Sequence, residues 1–433
     1  MKRLFFLVIG LSLVARAPEA GAAPRHDVCA DLGPTLAVGI SSFSSAGDWL
    51  VEAHDTHGVA WRLVYVYLVP PGDDLEGYRW FIGAKAEVAR SVGAIPVYTF
   101  YQLLQIGQGE GLTGSEPEVV QAVLASQPLM RTYFDNFILV LQTVANIPPP
   151  VIVHVEPDSW GFMMWAMGIE GNDDPASVPV QVAGSGHPDV SGFPDNAAGL
   201  GQALVALRDA YAPQARLGWH ASNFRVGTRP EVVASFFSQM GDWDVLVGEH
   251  PHNEPDETRW WEPWDEPLVE TNLQWFAGVT GPSGLPILLW QLPIGTEDWH
   301  LFGNGGDPAM LRRFAEAGVA GLLFEHQGPG DDPDAFRALG DLGTPPPADS
   351  GAGGTAADLR TRLAAYSSSP LPWPEASPCR GTAPAEDDAG EVAADQPPDV
   401  PVETGEEADA ASDTGGGEEG SGEEAGCSCS LAA

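Results

Sequence analysis

The chain has 433 residues, with 20 basic and 60 acidic side chains and a formal net charge of −40. A hydrophobic share of 44%, including 14 Trp and 17 Phe, can fill a large core, so we expect a globular protein. So acidic a surface would repel nucleic acid and anionic membranes. The sequence has no GxxxxGK[ST] loop, no GxGxxG turn after a strand and no GxSxG elbow, which disfavours the common ATP-dependent, dinucleotide-dependent and serine-hydrolase classes, and we predict no cofactor.

The N-terminus has the pattern of a secretory signal. Met1–Ala22 begins with Lys2 and Arg3, continues through an apolar stretch and ends in a small-residue cleavage site, Ala20-Gly21-Ala22. The apolar stretch is short for a membrane span, and a buried N-terminal helix is the alternative. We therefore expect a secreted, extracellular protein without a membrane span.

Four cysteines are compatible with export. Cys29 follows the signal and Cys379 follows the expected core, so a disulfide could join the two ends in an oxidising compartment, with two free thiols as the alternative. Cys427 and Cys429 lie in GCSCS near the C-terminus, where two thiolates alone are a weak metal signal.

The last 53 residues, 381–433, differ from the rest in composition. They contain 15 Asp and Glu, no Lys or Arg, and many Gly, Pro and Ala, which predicts a disordered acidic tail. The tail resembles bacterial C-terminal surface-sorting tails, and this resemblance implies cell-surface attachment.

Between Pro34 and about Gly343, short apolar runs alternate with helical patterns. The runs lack strict polar alternation, which is typical of strands buried on both faces of a parallel sheet. Eight parallel strands with intervening helices predict a (β/α)8 TIM barrel, placed at residues 30–378, with a doubly wound open sheet as the alternative. The predicted strands are Leu36–Phe43, Arg62–Leu68, Ile95–Tyr101, Val151–Glu156, Arg216–Ser222, Val245–His250, Ile287–Leu292 and Gly321–His326.

In such a barrel, functional residues lie at the carboxyl ends of the strands. The fourth strand ends in His154 and Glu156, which are two residues apart and are expected to point the same way. Burying both groups is unfavourable unless they have partners, so function is one explanation and a hydrogen-bonded structural network is the other.

Other strand ends carry aromatic, amide and imidazole groups suited to sugar binding. Indole rings stack on the apolar faces of sugars, and amides bind hydroxyls, whereas Trp61, Trp80 and Trp243 are expected to pack between barrel and helices. The predicted substrate-binding residues are His154, Trp160, Trp219, His220, Asn223, Trp290, Gln291, Tyr101 and Gln102.

Glycoside hydrolysis requires two carboxyl groups beside the scissile bond. Glu156 or Asp158 would supply one of them. Glu249 and Glu325 are the best candidates for the other, with Glu254 also available. We therefore predict a secreted glycoside hydrolase acting on a β-linked polysaccharide.

The segment Val151–Trp160 contains Glu-Pro-Asp-Ser and resembles the EPDS strand signature of glycoside hydrolase family 6, the cellulases with a distorted barrel. The resemblance implies that Asp158 is the general acid and that cellulose or another β-glucan is the substrate. The aspartate-rich segment of that family would fall at Tyr98–Gln105, where this chain reads YTFYQLLQ. The run Leu288–Pro293 resembles the LLWQLP seventh strand of uncharacterised secreted barrel proteins that look glycosidase-like.

Glu156-Pro157 is also similar to the Asn-Glu-Pro end of strand four in the large glycosidase clan with catalytic residues on strands four and seven. Gln291 stands where that clan has its nucleophilic Glu, so the second carboxylate would come from strand six or eight.

Two other functions remain open at this stage. A metal-dependent barrel hydrolase would use strand-end histidines, namely His154, His220, His250, His252 and His326. A non-catalytic glycan-binding barrel would keep the aromatic residues without turnover.

Overall fold

A computed structural model describes residues 26–42, 47–166, 174–222, 229–249, 266–293, 301–302, 309–325 and 356–380. Eight parallel strands form a closed barrel in chain order, each paired with the next and the eighth with the first. The TIM-barrel prediction is confirmed and the open sheet is wrong. The strands are β1 Ala37–Ser41, β2 Leu63–Leu68, β3 Ile95–Phe100, β4 Val151–Val155, β5 Ala215–His220, β6 Val245–Glu249, β7 Ile287–Pro293 and β8 Val319–Glu325.

Helices connect the strands and cover the barrel. The α-helices are α1 Val28–Leu32, α2 Gly47–Asp55, α3 Leu75–Ser91, α4 Leu103–Gly109, α5 Glu116–Leu124, α6 Gln127–Val144, α7 Ser159–Ala166, α8 Ala197–Tyr211, α9 Pro230–Ser238, α10 Glu266–Ser283, α11 Ala309–Glu316 and α12 Ala356–Ser368.

Two apolar layers form the core, because strand residues alternate between the barrel interior and the helices. The interior layer includes Leu63, Val97, Ile152 and Leu288. The outer layer packs strand residues such as Phe100 against helix α6. This alternation decides which polar side chains at the strand ends face the barrel axis.

The amino ends of the strands are closed by α1. Cys29 of α1 forms a disulfide with Cys379, as expected, and both belong to the interior apolar layer. Asp31 of α1 pairs with Arg216 at the start of β5, with an Nε–Oδ2 distance of 2.6 Å. This end of the barrel is therefore filled and cross-linked, which leaves the carboxyl end for chemistry.

Two of the three tryptophans expected to pack do so. Trp61 and Trp243 are buried in the outer layer. The prediction for Trp80 is wrong, because 73% of it is exposed on α3. Within the described residues, no helix is long and apolar enough to cross a membrane. The predicted signal and acidic tail lie outside the described residues.

Candidate active site

Three residues at the carboxyl ends of β4 and β7 have a backbone that side chains other than glycine rarely adopt. The φ angles are +52° at Glu156, +66° at Asp158 and +55° at Gln291. Among the described residues these are the non-glycine positions with positive φ. Because such conformations cost energy and cluster at functional sites, they mark this end of the barrel as a candidate active site.

Asp158, His220 and Glu249 meet at this end, from β4, β5 and β6. One carboxylate oxygen or imidazole nitrogen of each residue lies within 4.8 Å of the corresponding atom of the other two. Nε2 of His220 is 3.2 Å from Oε1 of Glu249, and the Asp158 and Glu249 carboxyl groups hydrogen-bond each other. His220 is fully buried, Glu249 is almost buried, and Asp158 keeps some exposed surface. The site therefore contains two carboxyl groups in direct contact, one of them accessible.

The surroundings favour the protonated form of both carboxyl groups. Burial raises the pKa of Asp158 well above its usual range, and the neighbouring charge of Glu249 raises it further. Burial also raises the pKa of Glu249, against the opposing effect of its hydrogen bond from Asp158. Two carboxylates in contact cannot both ionise easily, so the contact favours a pair that holds one proton.

A second histidine lies behind His220. Nε2 of His154 is 2.9 Å from Nδ1 of His220, and Nδ1 of His154 is 3.2 Å from Oγ1 of Thr99. Burial lowers the pKa of His154 well below its usual value and that of His220 to about 4. Both imidazoles are therefore neutral near pH 7, and each can donate from one nitrogen and accept at the other.

Glu156 does not join this cluster. The strand ends at Val155, and the positive φ of Glu156 breaks the two-residue alternation, so the expectation that Glu156 and His154 point the same way is wrong. Its Oε1 accepts hydrogen bonds from the backbone N–H groups of Gln102 and Leu103, at 3.0 and 3.2 Å. Its Oε2 accepts a hydrogen bond of 3.1 Å from Ser159.

The Glu156 carboxyl group thus lies at the start of α4. Burial raises the pKa of Glu156 to about 8 in spite of these hydrogen bonds. The structure favours the alternative that a buried network, which fixes α4 and α7 to β4, holds this residue.

An aromatic wall lies beside the carboxyl and histidine cluster. The ring of Trp290 lies 5.4 Å from that of His154, 5.5 Å from that of His220 and 5.6 Å from that of Tyr67. Gln291 donates a hydrogen bond through Nε2 to the Tyr67 hydroxyl, and the Tyr101 ring lies 6.2 Å from that of Tyr67. Tyr67 was missed in the sequence, although its position at every second residue after Leu63 and Tyr65 indicates the interior.

Three predicted sugar-binding residues lie elsewhere. Trp160 and Trp219 are fully buried between the barrel and the helices, where their rings are 6.0 Å apart, so the prediction that they line sugar subsites is wrong. Trp219 points outward because His220, the next residue, points inward. Gln102 is also fully buried: it donates to the Leu68 carbonyl and accepts from Asn136, which fixes the start of α4.

The remaining predictions fall on residues whose side chains lie outside the described part of the chain. Asn223, His250, His252, Glu254 and His326 are among these residues. Glu325 ends β8, but its side chain is also outside the described set.

Within the described residues, Asp158, His220 and Glu249 are the group that could hold a metal ion. Carboxylate and imidazole donors suit several divalent metals. In the structure, however, the same groups bind one another through hydrogen bonds, which are as well explained by a shared proton. Removal of metal ions with a chelator distinguishes a metal site from a shared proton.

Comparison with solved structures finds several that align with most of this chain. An exo-β-1,4-mannosidase from an Opitutaceae bacterium, strain TAV5, aligns with a TM-score of 0.46 and 12% identity over 77% of this chain, which spans 59% of that protein. A GH26 β-mannanase from Bacteroides ovatus aligns with a TM-score of 0.45 and 10% identity, over 79% of this chain and 91% of that one. A GH26-CBM35 β-(1,4)-mannanase from Podospora anserina aligns with a TM-score of 0.43 and 11% identity, over 79% and 69% respectively.

No protein-family model matches the chain, and no curated protein matches it. The expected membership of glycoside hydrolase family 6 therefore has no support beyond the EPDS motif itself.

Proposed function

We propose that the protein is a glycoside hydrolase that cleaves a β-linked polysaccharide with Asp158 and Glu249 as its two catalytic carboxyl groups. The observation that carries the proposal is the contact between these groups at the carboxyl ends of β4 and β6, in surroundings that raise the pKa of both. An acid kept protonated beside an ionised carboxylate is the pairing that glycosidic bond cleavage needs.

Accessibility and hydrogen bonds support a division of roles between the two groups. Asp158 carries the shared proton and is partly accessible, so it donates to the departing glycosidic oxygen. Glu249 is ionised and accepts hydrogen bonds from Asp158 and His220. When the sugar separates the two groups, the Glu249 carboxylate attacks the anomeric carbon and forms a glycosyl-enzyme ester. Water then hydrolyses this ester, with Asp158 taking the proton of the water.

The short distance between the groups favours retention of configuration. Retaining enzymes place their carboxyl groups about 5–5.5 Å apart, whereas inverting enzymes need about 6.5–9.5 Å to admit a water molecule. Without substrate, carboxylate oxygens of Asp158 and Glu249 lie within 4.8 Å of each other, which is nearer to the retaining separation than to the inverting one.

The aromatic wall supports a sugar substrate. Trp290 is 97% buried against the two histidines, and its indole N–H has no hydrogen-bond partner within the described residues. An unpaired buried donor is unfavourable until a ligand satisfies it, and a sugar hydroxyl would do so. Gln291 and Tyr67 add polar groups at the same wall.

We also propose that the protein works outside the cytoplasm, attached to the cell surface through its C-terminal tail. The signal-like Met1–Ala22 and the Cys29–Cys379 disulfide support export, since disulfides persist in oxidising compartments.

The test is product release from soluble β-glucans, β-mannans and insoluble cellulose by the full-length protein. Proton NMR of the first-formed product gives the anomeric configuration, and we expect retention. Asp158→Asn and Glu249→Gln should each reduce kcat by roughly 10²-fold or more, the scale of general acid–base catalysis. Glu76→Gln is the matched control, because this carboxylate is exposed on α3 and should leave kcat unchanged.

The other outcomes identify the alternatives. Release abolished by EDTA and restored by a divalent metal would replace the carboxylate mechanism with a metal-dependent hydrolase. Glycan binding without release would identify a non-catalytic glycan-binding barrel. Full activity in both carboxylate variants would overturn the assignment of the pair.

A further inference from the structure

In the turn between β4 and α7, one side chain is partly exposed while its neighbours are buried. The exposed one is Asp158, and the buried neighbours are Glu156, Pro157, Ser159 and Trp160. The φ angles of Glu156 and Asp158 are +52° and +66°. Because left-handed backbone is unfavourable for residues with a Cβ atom, other contacts must hold the turn in this conformation.

Glu156 anchors the first part of the turn to the end of β3. Its backbone N–H donates a hydrogen bond of 2.9 Å to the Phe100 carbonyl. Its Oε1 accepts from the backbone N–H groups of Gln102 and Leu103, at 3.0 and 3.2 Å. All four residues are fully buried, so water does not compete for these groups. The backbone and the side chain of Glu156 are therefore both fixed relative to β3.

A side-chain hydrogen bond joins the two parts of the turn across Asp158. Oγ of Ser159 donates to Oε2 of Glu156 at 3.1 Å, and both residues are fully buried. The backbone N–H of Ser159 also donates to the Pro157 carbonyl at 2.7 Å. A change of φ at Asp158 rotates Ser159 relative to Glu156, so it would break a buried hydrogen bond, which is unfavourable.

The backbone of Asp158 in turn decides where its carboxyl group lies. The side chain has only two torsions, so the carboxyl position follows closely from the backbone position. One Asp158 carboxylate oxygen lies within 4.8 Å of atoms of His220 and Glu249. Glu156 is fully buried outside this cluster, so any influence it has on the chemistry must pass through the backbone of Asp158.

We propose that Glu156 and Ser159 are positioning residues, whose hydrogen bond across Asp158 holds the left-handed turn that places the Asp158 carboxyl group against Glu249. The part of the proposal that concerns catalysis rests on the proposed function, in which Asp158 is the acid. The part that concerns the turn is a property of the protein without substrate, so the two parts can be tested separately.

The first experiment examines the turn without substrate. Ser159→Ala removes the hydroxyl and leaves the Glu156 carboxyl group with its backbone donors. Crystal structures of the full-length wild-type and Ser159→Ala proteins should differ at Asp158, whose carboxyl group we expect to move by roughly 1 Å or more, the scale of misplacement that lowers reaction rates strongly. An Asp158 carboxyl group in the same place in both structures would overturn the proposal.

The second experiment measures kinetics. Ser159→Ala should lower kcat roughly 10- to 100-fold, because a misplacement of about 1 Å can cost 10²-fold. KM should not change, since Ser159 is fully buried and does not reach the substrate. A wild-type kcat in Ser159→Ala would contradict the positioning role.

Glu156→Gln is the conservative variant, because it keeps the link across Asp158 and removes only the carboxyl group. Its amide oxygen can accept from the backbone of Gln102 and Leu103, and its amide nitrogen can donate to the Ser159 hydroxyl, which accepts as well as donates. We expect Glu156→Gln to retain most of kcat. A loss as large as that of Asp158→Asn would mean that Glu156 itself transfers a proton, and it would overturn the proposal.

Ser377→Ala is the matched control for the loss of a buried serine hydroxyl. Oγ of Ser377 accepts a hydrogen bond of 3.2 Å from the backbone N–H of Cys379, beside the disulfide at the amino end of the barrel. Its removal should leave kcat unchanged, and an equal fall of kcat in Ser377→Ala and Ser159→Ala would contradict a specific role of the turn. If no glycan is cleaved but Ser159→Ala displaces Asp158, the proposed function fails while the positioning of Asp158 stands.

Discussion

Glu156 and Asp158 are two residues apart and carry the same functional group, but the structure gives them opposite roles. The Glu156 carboxyl group is fully buried and receives hydrogen bonds from two backbone N–H groups and from Ser159. The Asp158 carboxyl group meets Glu249 at the pocket. The difference arises from the two positive φ angles, which turn consecutive carboxylates to different sides of β4.

The raised pKa of Glu156 predicts a pH dependence of stability. Its folded pKa of about 8 lies above the ordinary glutamate pKa of 4.5, so the folded state binds more protons between these two values. Its contribution to the free energy of unfolding is therefore largest below pH 4.5, falls as the pH rises to about 8 and is constant above that. Each unit of pKa difference corresponds to about 1.4 kcal/mol.

Glu156→Gln removes this titration and keeps an oxygen that accepts from the backbone of Gln102 and Leu103. We expect the variant to gain stability relative to the wild-type protein as the pH rises from 5 to 8. Chemical unfolding of both proteins at several pH values measures the difference. If the free energies of unfolding of the two proteins differ by a constant amount from pH 5 to 8, the raised pKa of Glu156 is contradicted. Glu76→Gln serves as the control, because its carboxylate is exposed.

The residues that bear chemistry were partly predictable. A carboxyl group at the end of β4 and another at the end of β6 follow from the strand pattern, and so does the inward direction of His154 and His220. Which of Glu156 and Asp158 reaches Glu249 was not predictable. It depends on positive φ angles at two residues that are neither Gly nor Asn, so the sequence gives no signal for them.

At the scale of the strands, a shift of one residue decides whether a tryptophan faces the barrel interior or packs against the helices. Trp290 lies inside the barrel beside His154 and His220, whereas Trp160 follows β4 and packs outward against Trp219 and Trp243. The sequence places Trp290 near the end of its strand and Trp160 just after its strand, but it does not show which face each occupies. Short α7 begins at Ser159 and carries Trp160 away from the pocket.

A matched pair of substitutions tests this assignment. Trp160→Phe removes a hydrogen bond to the Val155 carbonyl and leaves unfilled space, so it should lower the free energy of unfolding by about 1–3 kcal/mol without changing KM. Trp290→Phe should raise KM roughly 2- to 10-fold, since it removes one donor worth about 0.5–1.5 kcal/mol. Thermal unfolding and KM for the best glycan give both values. A raised KM in Trp160→Phe would show that Trp160 contributes to substrate binding.

At the scale of the whole molecule, the two ends of the barrel serve different purposes. The amino end is closed by α1, the disulfide and the Arg216–Asp31 ion pair. The carboxyl end holds the strained backbone, the buried carboxyl pair and the neutral histidines. The barrel itself was predictable because eight apolar runs with helices between them admit few topologies. The closure by α1 was not, since five residues are too few for a periodic signal.

Because the disulfide and the candidate active site lie at opposite ends of the barrel, we expect the disulfide to affect the free energy of unfolding and not kcat. Cys29 and Cys379 are 350 residues apart, so their link restrains most of the unfolded chain, and its removal should cost about 2–5 kcal/mol. The double variant Cys29→Ser/Cys379→Ser avoids a reactive free thiol, and the matched control Cys427→Ser/Cys429→Ser leaves this link intact.

Denaturant unfolding and kcat should be measured on the same preparations. We expect a lower unfolding midpoint for the Cys29→Ser/Cys379→Ser protein, with kcat unchanged at temperatures where it remains folded. The cause is that α1 contacts the interior apolar layer at the amino end, whereas Asp158, His220 and Glu249 are held by strand ends at the opposite face. A fall in kcat in the folded double variant would show that the two ends are coupled through the barrel interior, where Trp290 and Cys29 belong to the same apolar layer.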